Sequence, residues 1–283
     1  MSALRKAEAS LVEGEFAFTQ SDFRHIADIL YADSGIHLID AKAPLVYSRL
    51  GKRLRQLGLS RFSDYCRLLE GPDGAGERAS LLSALTTNVT RFFREPHHFD
   101  ALKKQVAESL GPIARSGGRV RLWSAGCSNG HEPYSMAMVL LAELPEAADL
   151  DVRILATDID PLVVDRARAG LYSTEDVEPV PHGLASRFVI PEGTGVRMAD
   201  SLQRLVSFGV LNLHAKWPMK GRFDAIFCRN VAIYFDDETQ RRLWTRFAGS
   251  LTPDGRLYIG HSERAEVPEL QSDGLTIYRG ARP

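Results

Sequence analysis

The 283-residue chain lacks the features that announce a disulfide staple, a membrane anchor or a polyelectrolyte partner. Its three cysteines, Cys66, Cys127 and Cys228, are scattered, which excludes a disulfide framework and paired zinc ligands. They read as small apolar core residues. No apolar run reaches the roughly 20 residues that a bilayer-spanning helix needs. The opening stretch, MSALRKAEASLVEGEF, mixes charges and has no apolar segment of the kind a secretory signal carries. With 35 basic and 36 acidic residues, the formal net charge is −1, so no overall field draws nucleic acid or anionic lipid. Of eight histidines only His97 and His98 are neighbours, and adjacent residues diverge around a helix, so no metal site is expected. Repeats and low-complexity tracts are missing too. The expectation is a monomeric protein of a reducing cytoplasm with no membrane insertion.

What is present divides at residue 119. The first part is helical in pattern. Ser21 is placed to cap a helix carrying Phe23, Ile26, Ala27 and Leu30 at helical spacing. Further helices are predicted over 45–57, 62–69 and 77–85, with Gly71-Pro72-Asp73-Gly74 as a break. A polar loop spans 86–94, and Pro96 opens a helix to about Leu110. Gly111-Pro112 and Ser116-Gly117-Gly118 then mark a linker. This gives a helical domain over 15–86 and a connecting loop and linker helix over 87–118.

From Arg119 onward the pattern changes to β-runs at 120–124, 152–157, 223–228, 256–260 and 275–279, separated by helices at 133–144, 161–169 and 238–250. Alternating strands and helices imply a doubly wound α/β domain over 119–283, with a mostly parallel sheet covered on both faces. Residues 171–213 break the rhythm and read as a small inserted β-subdomain.

Strand ends carry the ligand in such sheets. The first strand runs into Ser124–Ser135, SAGCSNGHEPYS, where Gly126 and Gly130 allow backbone to approach a ligand beside the unpaired N–H groups of a helix start. The second strand, ILATDID, ends in two acids. Asp160, before Pro161, suits a helix cap. Asp158 has no such task, and a carboxylate there suits vicinal ribose hydroxyls. The turn lacks the middle glycine of the dinucleotide fingerprint and the Gly-Lys-Ser/Thr of a phosphate loop. A cofactor with a ribose and no phosphate fits, and S-adenosylmethionine (SAM) is the common one.

Several long stretches sharpen this reading: TTNVTRFFREPHHF (86–99), LWSAGCSNGHEPYSMA (122–137), ATDID (156–160), FDAIFCRNVAIYF (223–235) and LTPDGRLYIGHSE (251–263). In them the chain resembles the chemotaxis-receptor glutamate O-methyltransferases of the CheR type, over nearly its whole length. The resemblance implies an N-terminal all-helical recognition domain joined to a class I SAM-dependent methyltransferase fold. It implies cofactor contacts at Asn88, Thr90 and Arg94 in the first loop, and at Gly126, Glu132 and Asp158 around the glycine turn. Further contacts fall on Asn212 and Leu213, and on Arg229 and Asn230. Arg94 is a fork suited to a carboxylate, Glu132 suits the cofactor's ammonium, and the two asparagines suit adenine or the amino-acid end. Tyr234 matches the family's active-site tyrosine and, with Arg94, makes up the expected catalytic pair. His131 stands where the family commonly has an acid and is expected at the outer rim of the site. The product would be S-adenosylhomocysteine.

Substrate recognition is expected on the basic helix. No acid occurs between Asp40 and Asp64, while Arg49, Lys52, Arg53 and Arg55 lie there with Lys42 and Arg61. Six cations without a compensating acid point to an acidic partner, the cytoplasmic helical bundle of a methyl-accepting chemotaxis receptor, rather than nucleic acid. The inserted subdomain is about three residues short around 189–197, VIPEGTGVR, compared with members that dock a receptor tether peptide, so tether independence is expected. Two other readings are a non-catalytic sensory module that binds the cofactor or its product, and an NAD-dependent oxidoreductase, which the missing glycine disfavours.

Overall fold

Thr19, two residues earlier than expected, caps the first helix rather than Ser21. In this computed structural model, which describes residues 10–72 and 74–281, Asp22 N donates to Thr19 Oγ1 at 3.1 Å and Thr19 N donates to Asp22 Oδ2 at 3.0 Å. This reciprocal box fixes the start of α1 (Gln20–Ser34). Residues 1–9 of the charged opening stretch and Asp73 of the Gly71–Gly74 break lie outside the described residues.

The chain divides into two compact units, Met1–Thr87 and Asn88–Pro283. The first holds α1, α2 (Ala43–Leu57), α3 (Phe62–Glu70) and α4 (Gly74–Leu85). Gly35 and Gly58, at φ +76° and +67°, stop α1 and α2 in the left-handed conformation that costs glycine least. Helical spacing brings Phe23, Ile26, Leu50, Leu54 and Phe62 into one buried core, where Phe18 and Phe62 approach to 4.3 Å between ring centres.

The second unit opens with α5 (Pro96–Gln105), a π-helical turn over Val106–Leu110, and α6 (Gly111–Arg115). The expected linker at Gly111-Pro112 is therefore helix. Pro112 removes an N–H from the ladder, and the π turn just before it absorbs the mismatch. Phe99, Leu102 and Val106 are buried in the core of this unit, and Gln105 bridges the Asp224 carbonyl and the Tyr258 hydroxyl.

The remaining elements are β1 (Val120–Ala125), α7 (His131–Glu143), β2 (Val152–Asp158) and α8 (Pro161–Ala169). After them come β3 (Leu171–Tyr172), α9 (His182–Phe188), β4 (Val189–Glu192), β5 (Gly195–Met198), α10 (Asp200–Leu205) and β6 (Val206–Val210). The chain finishes with β7 (Phe223–Cys228), α11 (Asp237–Ser250), β8 (Leu251–Ile259), β9 (Leu270–Gly274) and β10 (Ile277–Gly280). Seven strands form one sheet in the order β6-β2-β1-β7-β8-β10-β9. Its first five strands pair in parallel, while β10 is antiparallel to both β8 and β9.

Strand alternation splits the core. Leu122, Phe227 and Tyr258 face the layer of α5 and α7, while Trp123, Ile226, Cys228 and Leu257 face that of α11. All three cysteines are buried, and burial pushes the Cys127 and Cys228 thiols up, which suits apolar filling.

Two expectations change. The excursion closes before residue 213: β3, β5 and β4 make a separate antiparallel sheet, while α10 and β6 return to the main sheet beside β2. The short VSFGV strand, with Ser and Gly inside, carries too weak a signal to be separated from the excursion. The polar edge strand β9 was missed for a similar reason.

Candidate functional site

The strand order reverses between β1 and β7, so their carboxyl ends open a crevice. From β1 comes the glycine turn. Gly126 and Gly130 both have φ +88°, and a Cβ on Gly126 would fall 2.3 Å from Val231 Cγ2, just past β7. Only glycine fits there. The N–H groups of Gly126 and Cys127 both donate to the Thr157 carbonyl, at 2.8 and 2.9 Å, which staples the turn to the end of β2.

Asp158 completes that staple. Its Oδ2 accepts from Ser128 N at 2.8 Å and its Oδ1 from Asp160 N at 3.1 Å. Burial raises its pKa against those bonds. Two of the roughly four acceptor positions of a carboxylate are then used. Asp160 caps α8 through Leu162 N, as its place before Pro161 implied, and Asn88 Nδ2 reaches it at 3.3 Å. Ser128 Oγ donates to the Asn88 carbonyl, and Leu211 N to the Asp158 carbonyl at 2.8 Å. Thus Asn88, the glycine turn, Asp158 and the segment carrying Asn212 and Leu213 share one strand-end cluster. Asn212 Oδ1 accepts from His214 N, and Leu213 is buried.

From β7 comes Arg229, 7% exposed. Its Nη1 lies 3.1 Å from Glu132 Oε2, its Nη2 lies 3.3 Å from Glu95 Oε2, and Nη2 donates to the Arg94 carbonyl. Ser124 Oγ donates to the other Glu132 oxygen at 2.7 Å. Each oxygen of Glu132 thus holds one partner within the protein, and its remaining acceptor positions are where the sequence suggested a cofactor ammonium. Burial raises the Glu132 pKa in spite of Arg229. Burial alone would raise Glu95 as well, but the His261 hydrogen bond and the Arg229 charge bring it below its ordinary value. Glu95, His97 and His98 place donor atoms within 4.8 Å of one another, yet Arg229 already supplies the cation on Glu95.

Arg94 is held differently. Phe93 and Glu95 on either side have φ +51° and +55°, and the guanidinium has the Val89 carbonyl at 3.0 Å as its hydrogen-bond acceptor. Among the described residues no carboxylate pairs with it. Thr90 is half-buried on the same loop, and Tyr234 ends a one-turn 3-10 helix, Ala232–Tyr234, just past β7. Asn230, at φ +59°, has a buried Oδ1 without a hydrogen-bond partner.

Three side chains escaped the sequence. Glu95, at the N-cap position of α5, makes no side-chain cap bond and instead meets Arg229 and His261. Tyr172, on β3, donates to the Asn129 carbonyl at 2.7 Å, and nothing in the excursion's sequence signals it. Glu263, in the quoted GHSE run, is a buried acid. His131 is not at the rim: it is 5% exposed, with ring centres 4.7 Å from Phe92 and 5.0 Å from Tyr172. Burial lowers its pKa to about 4.

The basic helix α2 also differs from expectation. Arg49 donates to the carbonyls of Ala84, Leu85 and Thr86, closing the end of α4. Arg53 makes a bidentate pair with Glu77 at 2.8 and 2.6 Å, and the Tyr65 hydroxyl joins it. Arg55 pairs with Glu15 at 2.9 Å. Two cations of the run thus find acids elsewhere in the unit and Arg49 finds carbonyls, while Lys42, Lys52 and Arg61 stay exposed.

Residues 88–273 match the family model for the CheR methyltransferase SAM binding domain, and residues 21–86 match that for its all-alpha domain. The chain belongs to the CheR methyltransferase family. It is similar to a probable chemotaxis protein methyltransferase of Rhizobium etli, 51% identical over 89% of this chain and 96% of the relative. Chemotaxis protein methyltransferase 2 of Pseudomonas aeruginosa is 42% identical over 94% and 95%, and that of Escherichia coli 43% identical over 93% and 91%. The CheR chain is accordingly a SAM-dependent protein-glutamate methyltransferase, with SAM as its cofactor. The site fits that group: Asn230 Oδ1 is an orphaned buried acceptor at the crevice, next to Val231, which packs on the glycine turn.

Proposed function

We propose that this CheR protein esterifies glutamate side chains on the cytoplasmic helical bundle of a methyl-accepting chemotaxis receptor, giving methyl esters used in sensory adaptation. The observation that carries this reading is Arg94, a guanidinium on a strained loop beside the crevice that meets a carbonyl and no carboxylate within its own chain. A planar fork of that kind selects a carboxylate.

Bound SAM supplies an electrophilic methyl group on a sulfonium that needs no acid to leave. Asp158 takes the ribose hydroxyls with its remaining acceptor positions, and Asn212 and Asn230 take the polar edges of the adenine and amino-acid ends, beside Asn88, Thr90 and Leu213. Glu132 contributes by fixing Arg229. A free glutamate has a pKa near about 4.3, so the nucleophile is already ionised and no general base is required. Arg94 and Tyr234 then have to align one carboxylate oxygen and strip its water.

Receptor docking falls to the first unit, in the cytoplasm. On α2 the outward cation is Lys52, joined by Arg55, whose exposed pair with Glu15 is cheap to exchange. Gly193-Thr194 closes the β4–β5 hairpin in two residues, and this short turn supports tether independence. Calorimetric titration with a tether-type pentapeptide checks it: heat at micromolar concentration counts against the idea.

The main test incubates receptor fragments with labelled SAM and maps the sites by mass spectrometry. Base-labile, methanol-releasing label on glutamates is expected, and its loss in Arg94→Ala and Tyr234→Phe. Absence of label on every receptor tried, with SAM binding intact, overturns the proposal.

A further inference from the structure

A single buried carboxylate organises the exit of β7. Glu263, 2% exposed, lies beyond β8. Its Oε1 accepts from Val231 N at 3.0 Å and Ala232 N at 2.7 Å, and its Oε2 from Asn230 N at 3.0 Å and Gly260 N. Four backbone donors use the roughly four acceptor positions a carboxylate offers. Among the described residues no cation pairs with Glu263, so these N–H groups replace the water that the charge has lost.

Three consecutive N–H groups converge on one point only if the chain bends sharply. Asn230 pays that bend with φ +59°, a conformation that persists where its surroundings over-determine it. Gly260 closes the other side: a Cβ there would lie 2.6 Å from Asn230 Nδ2, and 2.8 Å from both Asn230 N and Glu263 Oε2. The same three-residue segment rests on the glycine turn through Val231 and leads directly into Tyr234.

We propose that Glu263 is the positioning residue that sets Asn230 for the cofactor and Tyr234 for the substrate carboxylate, acting through backbone N–H groups. The inference rests on the reading of Asn230 as a cofactor contact. Glu263→Gln puts an NH2 group against two of the four donors and removes their bonds without changing the side chain's shape.

The test is calorimetric titration of the full chain with S-adenosylhomocysteine, together with kcat and KM on receptor fragments. Glu263→Gln is expected to weaken product affinity by about tenfold or more, by the worth of bonds to a charged group, and to lower kcat through Tyr234. A merely structural carboxylate would lower Tm and the fraction of binding-competent molecules and leave the Kd of that fraction unchanged; that result refutes the proposal. Should Glu263→Gln not fold, Gly260→Ala keeps the carboxylate but wedges a methyl between it and Asn230, and an unchanged Kd in it is equally fatal. Asn230→Ala separates the two ideas. Weakened affinity in it beside wild-type affinity in Glu263→Gln removes the positioning role alone, while wild-type affinity in Asn230→Ala removes the cofactor contact and the proposal with it.

Discussion

Arg229 Nη1 meets Glu132 Oε2 at 3.1 Å, and the same guanidinium reaches Glu95, so one buried cation answers a buried and a half-buried carboxylate beneath the Arg94 backbone. Arg229→Met would leave those acids facing each other without a counter-charge. Loss of one partner of a buried pair costs about 3–5 kcal/mol. Urea denaturation is expected to show a loss of that size, against a smaller one of about 1–3 kcal/mol for Glu132→Gln, which keeps part of the hydrogen bonding.

The inserted sheet reaches the cofactor turn through one phenol. The Tyr172 hydroxyl bonds the Asn129 carbonyl, and its ring packs on His131 and Phe92. Tyr172→Phe keeps the ring and deletes the bond, for a predicted destabilisation of about 1–2 kcal/mol. Weaker SAM affinity with kcat preserved at saturating cofactor is the kinetic outcome to look for by titration and steady-state assay.

In the first unit the cations of α2 separate by partner. Arg53→Ala strips Glu77, which is 6% exposed, of its counter-charge and leaves the Tyr65 hydroxyl as its remaining donor. A Tm drop matching about 2–3 kcal/mol is expected. Lys52→Ala leaves stability within about 0.5 kcal/mol, as for an exposed substitution, while Lys52→Glu raises KM for receptor fragments.

Acid should weaken the second unit through two histidines. Burial holds the pKa of His98 down to about 3, with the Arg229 charge adding to the effect, and burial holds that of His131 at about 4. The unfolded chain binds these protons near pH 6.5 and the folded chain does not, so each group makes stability fall as pH drops below about 6.5 by up to about 1.4 kcal/mol per unit. For His131 the fall levels off near pH 4. Comparing wild type with His131→Gln isolates one proton's slope in urea melts at pH 7, 6 and 5; equal slopes would contradict the assignment.

Much of the fold was legible because its signals are local. The period-two runs of β1, β2 and β7 and the Asp160-Pro161 cap each depend on a few neighbouring residues. Weak local signals failed: Gly111-Pro112 looked like a break until a π turn accommodated it, and VSFGV looked like part of the excursion until β2 paired with it. Similar reasons governed the site. Gly126 and Asp158 were readable from strand ends, whereas the burial of His131 and the roles of Tyr172 and Glu263 needed the packing of distant segments.

The glycine turn, the alternation that splits the sheet's two core layers, and the family motifs all follow from residue order, since backbone conformation and side-chain period are local properties. Where each charge finds its partner depends on the packing of distant segments. Glu77 reaches Arg53 from the other end of the helical unit, Glu132 takes Arg229 from the next strand over, and Arg94 is left to a carbonyl. Coulomb energy depends on distance in space and on burial, and neither is written in the order of residues.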